Sequence, residues 1–401
     1  MMSEEKMAPK LRFGFNENWK TVKLSEICDV QDGTHSTPKY INEGIPFYSV
    51  ETITSDAPPK FISKEEHQKL IKRCEPKYGD ILLTRIGTLA KSKIVDWREE
   101  FSIYVSLALL SSIKINNEFL NQYIQTEIYQ KEFLKRSLLL AVPQKINLKD
   151  LNETRIKYPS EKEEEKIANF LTTVDKKIEL LEKKYKSYVN FKKYLMQQIF
   201  TQKLRFADFS DDWVECKFKD LGTVKSGVRF SNKYQGHVDL KYNVYKVSDM
   251  NLKGNEKIMN KSNNTVDEEI LSEMGAKLID VPSIIFAKVG EAIFLNRKRI
   301  AKPNFLIDNN MMAFSPNNAV KLEFMYYLST TINFGKYAQT GALPSYNASD
   351  IYSIKCKIPS IEEQEKIVNI LSLVDNKIDF CSNQIRDVLN FKKGLLQQMF
   401  V

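Results

Sequence analysis

The acidic side chains with the clearest chemical potential lie in "PSEKEEEKIANF", where Glu163 and Glu165 stand two residues apart. Two carboxylates this close have the composition of a nuclease metal pair. Their context argues against it, because a proline and a serine precede them and a periodic apolar run follows. That is a helix start, where a glutamate three residues beyond a serine closes a capping box and acidic charge favours the positive helix end. The three histidines (His35, His67, His237) lack the spacing of a zinc ligand set, and Cys28, Cys74, Cys216, Cys356 and Cys381 contain no C-x-x-C pair. Reduced, mostly buried thiols are expected. There is no Gly-x-x-x-x-Gly-Lys-Ser/Thr phosphate loop. The Asn/Asp-Pro-Pro-aromatic turn that a base methyltransferase needs is also missing. The expectation is a chain without a catalytic constellation, metal or cofactor.

If it does no chemistry, its charge points to binding. The 60 Lys and Arg exceed the 51 Asp and Glu, for a net charge of +9. An anionic partner is expected, and nucleic acid first. With 42% hydrophobic and 11% aromatic residues the chain is globular, and 401 residues suffice for two or three domains. No apolar run reaches the roughly 18–20 residues of a membrane span. The opening "MMSEEKMAPK" lacks the apolar core of a secretory signal, so a cytoplasmic location is expected.

The elements that must position any binding residues are built in duplicate. "NFKKYLMQQIF" (Asn190–Phe200) returns 200 residues later as "NFKKGLLQQMF" (Asn390–Phe400). At the same offset "YPSEKEEEKIANFLTTVDKKIELL" from Tyr158 lies over "IPSIEEQEKIVNILSLVDNKIDFC" from Ile358. "LRFGFNENW" and "LRFADFSDDW" repeat upstream, with Trp19 and Trp213 in register, and Gly87 pairs with Gly290 in mid-half. Two copies of one unit fill the chain. The expected layout is an N-terminal segment over 1–19, an α+β recognition domain over 20–157 and a helical spacer over 158–205. A second domain over 206–357 and a second spacer over 358–401 follow.

In each spacer the apolar residues follow the 4-3 spacing of a coiled-coil seam. They are Ile167, Leu171, Val174, Ile178, Leu181, Tyr185, Tyr188 and Leu195, then Ile367, Leu371, Val374, Ile378, Cys381, Ile385, Val388 and Leu395. About 40 residues make a rod of about 60 Å. A lone rod would expose its stripe, so an antiparallel pairing related by a pseudo-twofold axis is expected. The domains carry short β-branched and aromatic runs such as "IPFYSVETI" and "GDILLTRIG", with short helices between them.

The copied helix skeleton P-S-x-x-E-x-E-K-I, the "LRF…W" lead-in, "DGTHSTPKYINEGIPFYSV" and "GDILLTRIGT" together resemble the specificity subunit of type I restriction-modification enzymes. The likeness covers essentially the whole chain. It implies a non-catalytic DNA-binding subunit in which each domain reads one half of a bipartite, asymmetric site. The helices would set the gap and dock two methyltransferase (modification) subunits, with motor-nuclease (restriction) subunits joining through that complex. A free-standing DNA-binding or interaction protein on the same duplicated scaffold remains the alternative. Polar and basic loop residues are the candidate DNA contacts. In the first domain these are Thr34, His35, Ser36, Lys39, Tyr40, Arg85, Thr88, Lys91 and Lys145. In the second they are Arg229, Ser231, Lys233, Tyr234, Lys288, Arg297, Lys298 and Tyr346.

Overall fold

The computed structural model describes residues 8–55, 57–339, 341 and 343–401; the opening heptapeptide, whose charge was read above, lies outside them. The chain is α+β and divides into two compact units, residues 1–184 with 381–401 and residues 185–380. The division falls inside both long helices, Glu161–Phe200 and Ile361–Met399. Each unit therefore contains the start of one helix and the end of the other.

The first unit holds a four-stranded antiparallel sheet in the order Asp29–Asp32, Leu107–Ser111, Ile81–Thr84, Ser92–Ile94. Beside it are a three-stranded sheet (Lys60–Ile62, Ile45–Tyr48, Ser102–Ile103) and a ribbon pairing Lys20–Lys23 with Arg155–Tyr158. The central strand Ile81–Thr84 is buried on both faces, which explains its unbroken ILLT run. The second unit repeats this plan. It has a five-stranded sheet ordered Gly222–Ser226, Met311–Pro316, Ser283–Ala287, Lys298–Ala301, Ile258–Met259. A three-stranded sheet (Thr265–Val266, Tyr242–Tyr245, Leu306–Ile307) and a ribbon of Val214–Lys217 with Lys355–Ile358 complete it.

Within the first unit the helix segments run antiparallel. Lys392 pairs with Asp175 at 2.7 Å, while the later residue Gln398 accepts from the Leu11 amide, next to Arg12 at the start of the first helix. The copy appears in the second unit, where Lys192 meets Asp375 at 2.5 Å. The helix ends are rooted in aromatic clusters. Phe400 packs on Trp19 and Phe119, and Phe200 packs on Trp213 and Phe324. All sixteen seam positions are at least half-buried, and Leu171 and Leu371 are completely so. The 4-3 spacing therefore marks the buried stripe.

The structure corrects the reading of Glu163 as a capping-box carboxylate, and its repeat copy Glu363 behaves in the same way. Each takes a two-pronged guanidinium instead. Arg12 reaches Glu163 at 2.8 and 2.5 Å, and Arg205 reaches Glu363 at 3.1 and 2.8 Å. The serine still caps in the second copy, where Ser360 Oγ accepts from the Glu363 amide at 3.3 Å. The "LRF" lead-in is thus a hook that ties each domain to the first turn of its helix, with Phe13 edge-on to Phe170. Both glutamate side chains are buried, and an abandoned buried carboxylate costs about 3–5 kcal/mol.

Arg12→Ala is expected to lower the unfolding free energy of the first unit by about 3 kcal/mol in urea. Adding Glu163→Gln should recover part of that loss, because a neutral amide is cheaper to bury. A loss under about 1 kcal/mol for Arg12→Ala would show that the hook is peripheral.

Candidate nucleic-acid interface

In the first unit the candidate loop leaves the sheet at Asp32. A Cβ on Gly33 would sit 2.0 Å from the Ile103 carbonyl oxygen, so only glycine lets the two backbones approach here. Thr34 then bridges to Tyr104, and its hydroxyl lies 3.0 Å from Ser36 Oγ, which fixes the turn. Asp32 is buried and collects three partners. Arg73 donates at 2.6 Å, Arg85 donates at 3.0 Å, and His35 Nε2 lies 2.9 Å away. Arg85 also donates to the carbonyls of Val105 (3.0 Å) and Ile146 (3.2 Å). Burial pulls its guanidinium below the ordinary value, and the charge of Asp32 opposes that pull.

Around this hub the solvent-facing candidates gather. His35, Ser36, Lys39 and Tyr40 are exposed, and Lys60 stands 4.6 Å over the Tyr40 ring. Thr88 and Lys91 are exposed on the 84–91 turn, which is closed by a bond from the Thr84 amide to the Lys91 carbonyl (2.8 Å). Gly87, at φ +84°, lets that turn reverse. Lys145 is half-buried and bridged to Ile86.

The second unit uses the same backbone with different side chains. Gly227 approaches the Asp308 carbonyl as Gly33 approaches Ile103, and Val228 forms the matching bridge. Gly290, at φ +81°, takes the place of Gly87. In the positions of Asp32 and Arg85 stand Ser226 and Lys288, with Lys288 Nζ 3.5 Å from Ser226 Oγ. Arg229, Ser231 and Lys233 are exposed, and Lys233 pairs with Glu273 at 3.3 Å. Tyr234 is buried, with its hydroxyl donating to the same glutamate at 3.0 Å. Arg297 is half-buried and bonded to Asn251.

Five candidates are buried and so corrected: Thr34 and Tyr234 are 7% and 9% exposed, and Arg85, Lys298 and Tyr346 lie in the interior. Arg85 is an interior group locked to Asp32, and so is not placed to meet a base edge. Lys298 is 2% exposed, donates to Asn296 and to the Ile332 carbonyl (2.9 Å), and lies 3.9 Å over Phe334. Burial pushes its amine down to about 7. Tyr346 is buried in the core, with only its backbone amide joined to Lys288. Conversely, Asp32 and Arg73 were not among the candidates although they organise the loop. Asp32 opens the "DGTHSTPKY" stretch, but Arg73 sits in a helical run with no local signal. Among the described residues no cluster of His, Cys, Asp or Glu has the geometry of a metal site, and no helix is long and apolar enough to cross a membrane.

With this geometry in view, the family is settled by comparison. The sequence profile described as "Type I restriction modification DNA specificity domain" matches residues 16–187 and again 210–390, and the chain belongs to that family. The type I restriction enzyme MjaVIII specificity subunit of Methanocaldococcus jannaschii is 22% identical over 429 residues, covering 95% of this chain and 91% of its own. The fold is that of the type I restriction-modification S subunit crystal structure from M. genitalium. That structure has TM-score 0.62 and 18% identity over 98% of this chain and 99% of that one. A chain from a structural study of type I complex assembly and conformational transition aligns with TM-score 0.55 and 11% identity. The alignment covers 97% of this chain and 99% of that one.

Arg85→Ala is expected to destabilise the first unit by about 3 kcal/mol, because Asp32 keeps only its surface partners. Lys91→Ala should leave stability unchanged and reduce the slope of log affinity against log salt by about one unit. Urea melts and a salt titration of DNA binding separate the two. Equal melting midpoints for wild type and Arg85→Ala would contradict the interior assignment.

Proposed function

We propose that the chain is the sequence-reading, non-catalytic subunit of a type I restriction-modification enzyme. Family membership over both halves supports this reading. The observation that carries it is the paired loop geometry. Gly33 and Gly227 place equivalent loops on equivalent backbone, while the exposed His35 and Ser36 of the first loop give way to an exposed Arg229 and a buried Phe230 in the second. One frame with two side-chain sets suits a bipartite, asymmetric site, one half-sequence to each domain. Base edges in the major groove distinguish the sequences, and lysine contacts to phosphate fix the register. The exposed set His35, Ser36, Lys39, Tyr40, Thr88 and Lys91 serves the first half-site, and Arg229, Ser231 and Lys233 serve the second.

The helices serve as spacer and docking surface. Val189 and Phe191 lie exposed on the first, and Leu389 and Phe391 occupy the same repeat positions on the second. Large apolar side chains kept on a soluble surface in two copies fit two copies of one partner. That partner is the modification subunit, which brings the methyl donor and the catalytic residues, and the motor-nuclease subunits join through it. A free-standing binder would leave these copied apolar positions without a role.

Adding one heptad to each long helix lengthens it by about 10 Å, or about three base-pair rises. Methylation mapping with the modification subunit is expected to show both half-sequences intact and a longer tolerated gap. Altered bases at an unchanged gap would reject the spacer role.

A further inference from the structure

Among the described residues, the most exposed large apolar side chains of the first unit are neither on a helix nor in a core. Leu140 and Val142 are 101% and 100% exposed, and they stand on a short hairpin with Leu138 and Leu139, themselves 46% and 43% exposed. The hairpin is a built feature. Its neck is closed by bonds from the Leu138 amide to the Lys145 carbonyl (2.7 Å) and from the Lys145 amide to the Leu138 carbonyl (3.4 Å).

The neck is stitched to the candidate DNA loops. The Gly87 amide donates to the Gln144 carbonyl at 2.8 Å, and the Ile146 amide donates to the Arg85 carbonyl at 3.0 Å. The tip therefore projects from the edge that carries Thr88, Lys91 and Lys145. The second unit repeats the stitching. There the Gly290 amide donates to the Pro344 carbonyl at 2.8 Å, and the Tyr346 amide donates to the Lys288 carbonyl at 3.1 Å. It also carries an exposed aliphatic on this segment, Leu343 at 62%, at the position that Pro143 holds in the first unit.

We propose that the Leu140–Val142 tip is an apolar wedge that enters the base stack of the first DNA half-site. The proposal rests on the DNA-reading function given above. A cationic edge brings the tip to a polyanion, and apolar side chains on a closed hairpin beside Lys91 and Lys145 are suited to partly unstack a base step. Unstacking also lowers the cost of turning a neighbouring adenine out of the helix for methylation, a step that requires the base to leave the stack. The loop would otherwise leave its aliphatics in water, which a soluble surface rarely tolerates without use.

The test uses the complex of this chain with its modification subunit, on duplexes carrying the site mapped by methylation sequencing. 2-Aminopurine replaces one base at a time, with the methylated adenine left in place. Wild-type complex is expected to brighten the probe several-fold at one step of the first half-site. Leu140→Ser with Val142→Ser should return it to the duplex level while second-half-site probes stay unchanged. Specific binding with no brightening at any step would overturn the wedge and leave the DNA-reading function standing. Absence of sequence-specific binding by the wild-type complex would remove both. If the double variant lost its modification subunit but kept the brightening, the tip would be a protein contact and the wedge would again fail.

Discussion

The structure depends on one constraint: an amphipathic helix of 40 residues cannot bury its stripe on a single small domain. The first half of each stripe packs on its own domain, through Ile167, Leu171 and Val174 in one copy and Ile367, Leu371 and Val374 in the other. The far end is covered within the opposite unit, where Leu395 and Met399 join the first core and Leu195 and Ile199 join the second. The chain repeats "NFKK…QQ" because each core must receive one such helix end. Ion pairs fix the register. Asp175 with Lys392 and Asp375 with Lys192 are the same pair written twice, and in the second unit Lys257 and Tyr327 also bind Asp375 at 2.8 and 2.6 Å.

A scaffold held this way leaves its loops free to differ. The close glycine approaches and the Arg–Glu hooks recur in both units, so the backbone frame is preserved where packing demands it. The polar groups above the frame are not preserved: a buried arginine–aspartate pair in one unit becomes a lysine beside a serine in the other. Architecture and loop chemistry are thereby carried by different residues, and the loops differ while the helices that present them are copied.

Much of this was legible in the sequence. The helical seam was, because its period is set by the geometry of the helix and every marked position is covered. The duplicated α+β layout was, because the copies kept their lengths at the helices. The site was less legible. Arg85 and Lys298 follow strand-like runs and look like surface cations, but their depth depends on non-local partners, Asp32 in one case and the Ile332 carbonyl with the Phe334 ring in the other. Arg12 looked like part of a lead-in motif, and its bond to Glu163, 151 residues away, has no local signature. The Leu140–Val142 hairpin carries no signal in the sequence, since exposure is not encoded in residue type.

The central claim is that the two halves are structural equivalents joined by exchanged helix ends. Residues 1–205 test it most directly, because this fragment has one reading domain and one whole helix but lacks the end that carries Leu395, Met399 and Phe400. Leu195, Ile199 and Phe200 of a second fragment are the equivalent residues, so the fragment is expected to form a dimer by light scattering. With the modification subunit that dimer should methylate an interrupted palindrome built from the first half-sequence. A monomer, or methylation confined to the original asymmetric site, would contradict the equivalence.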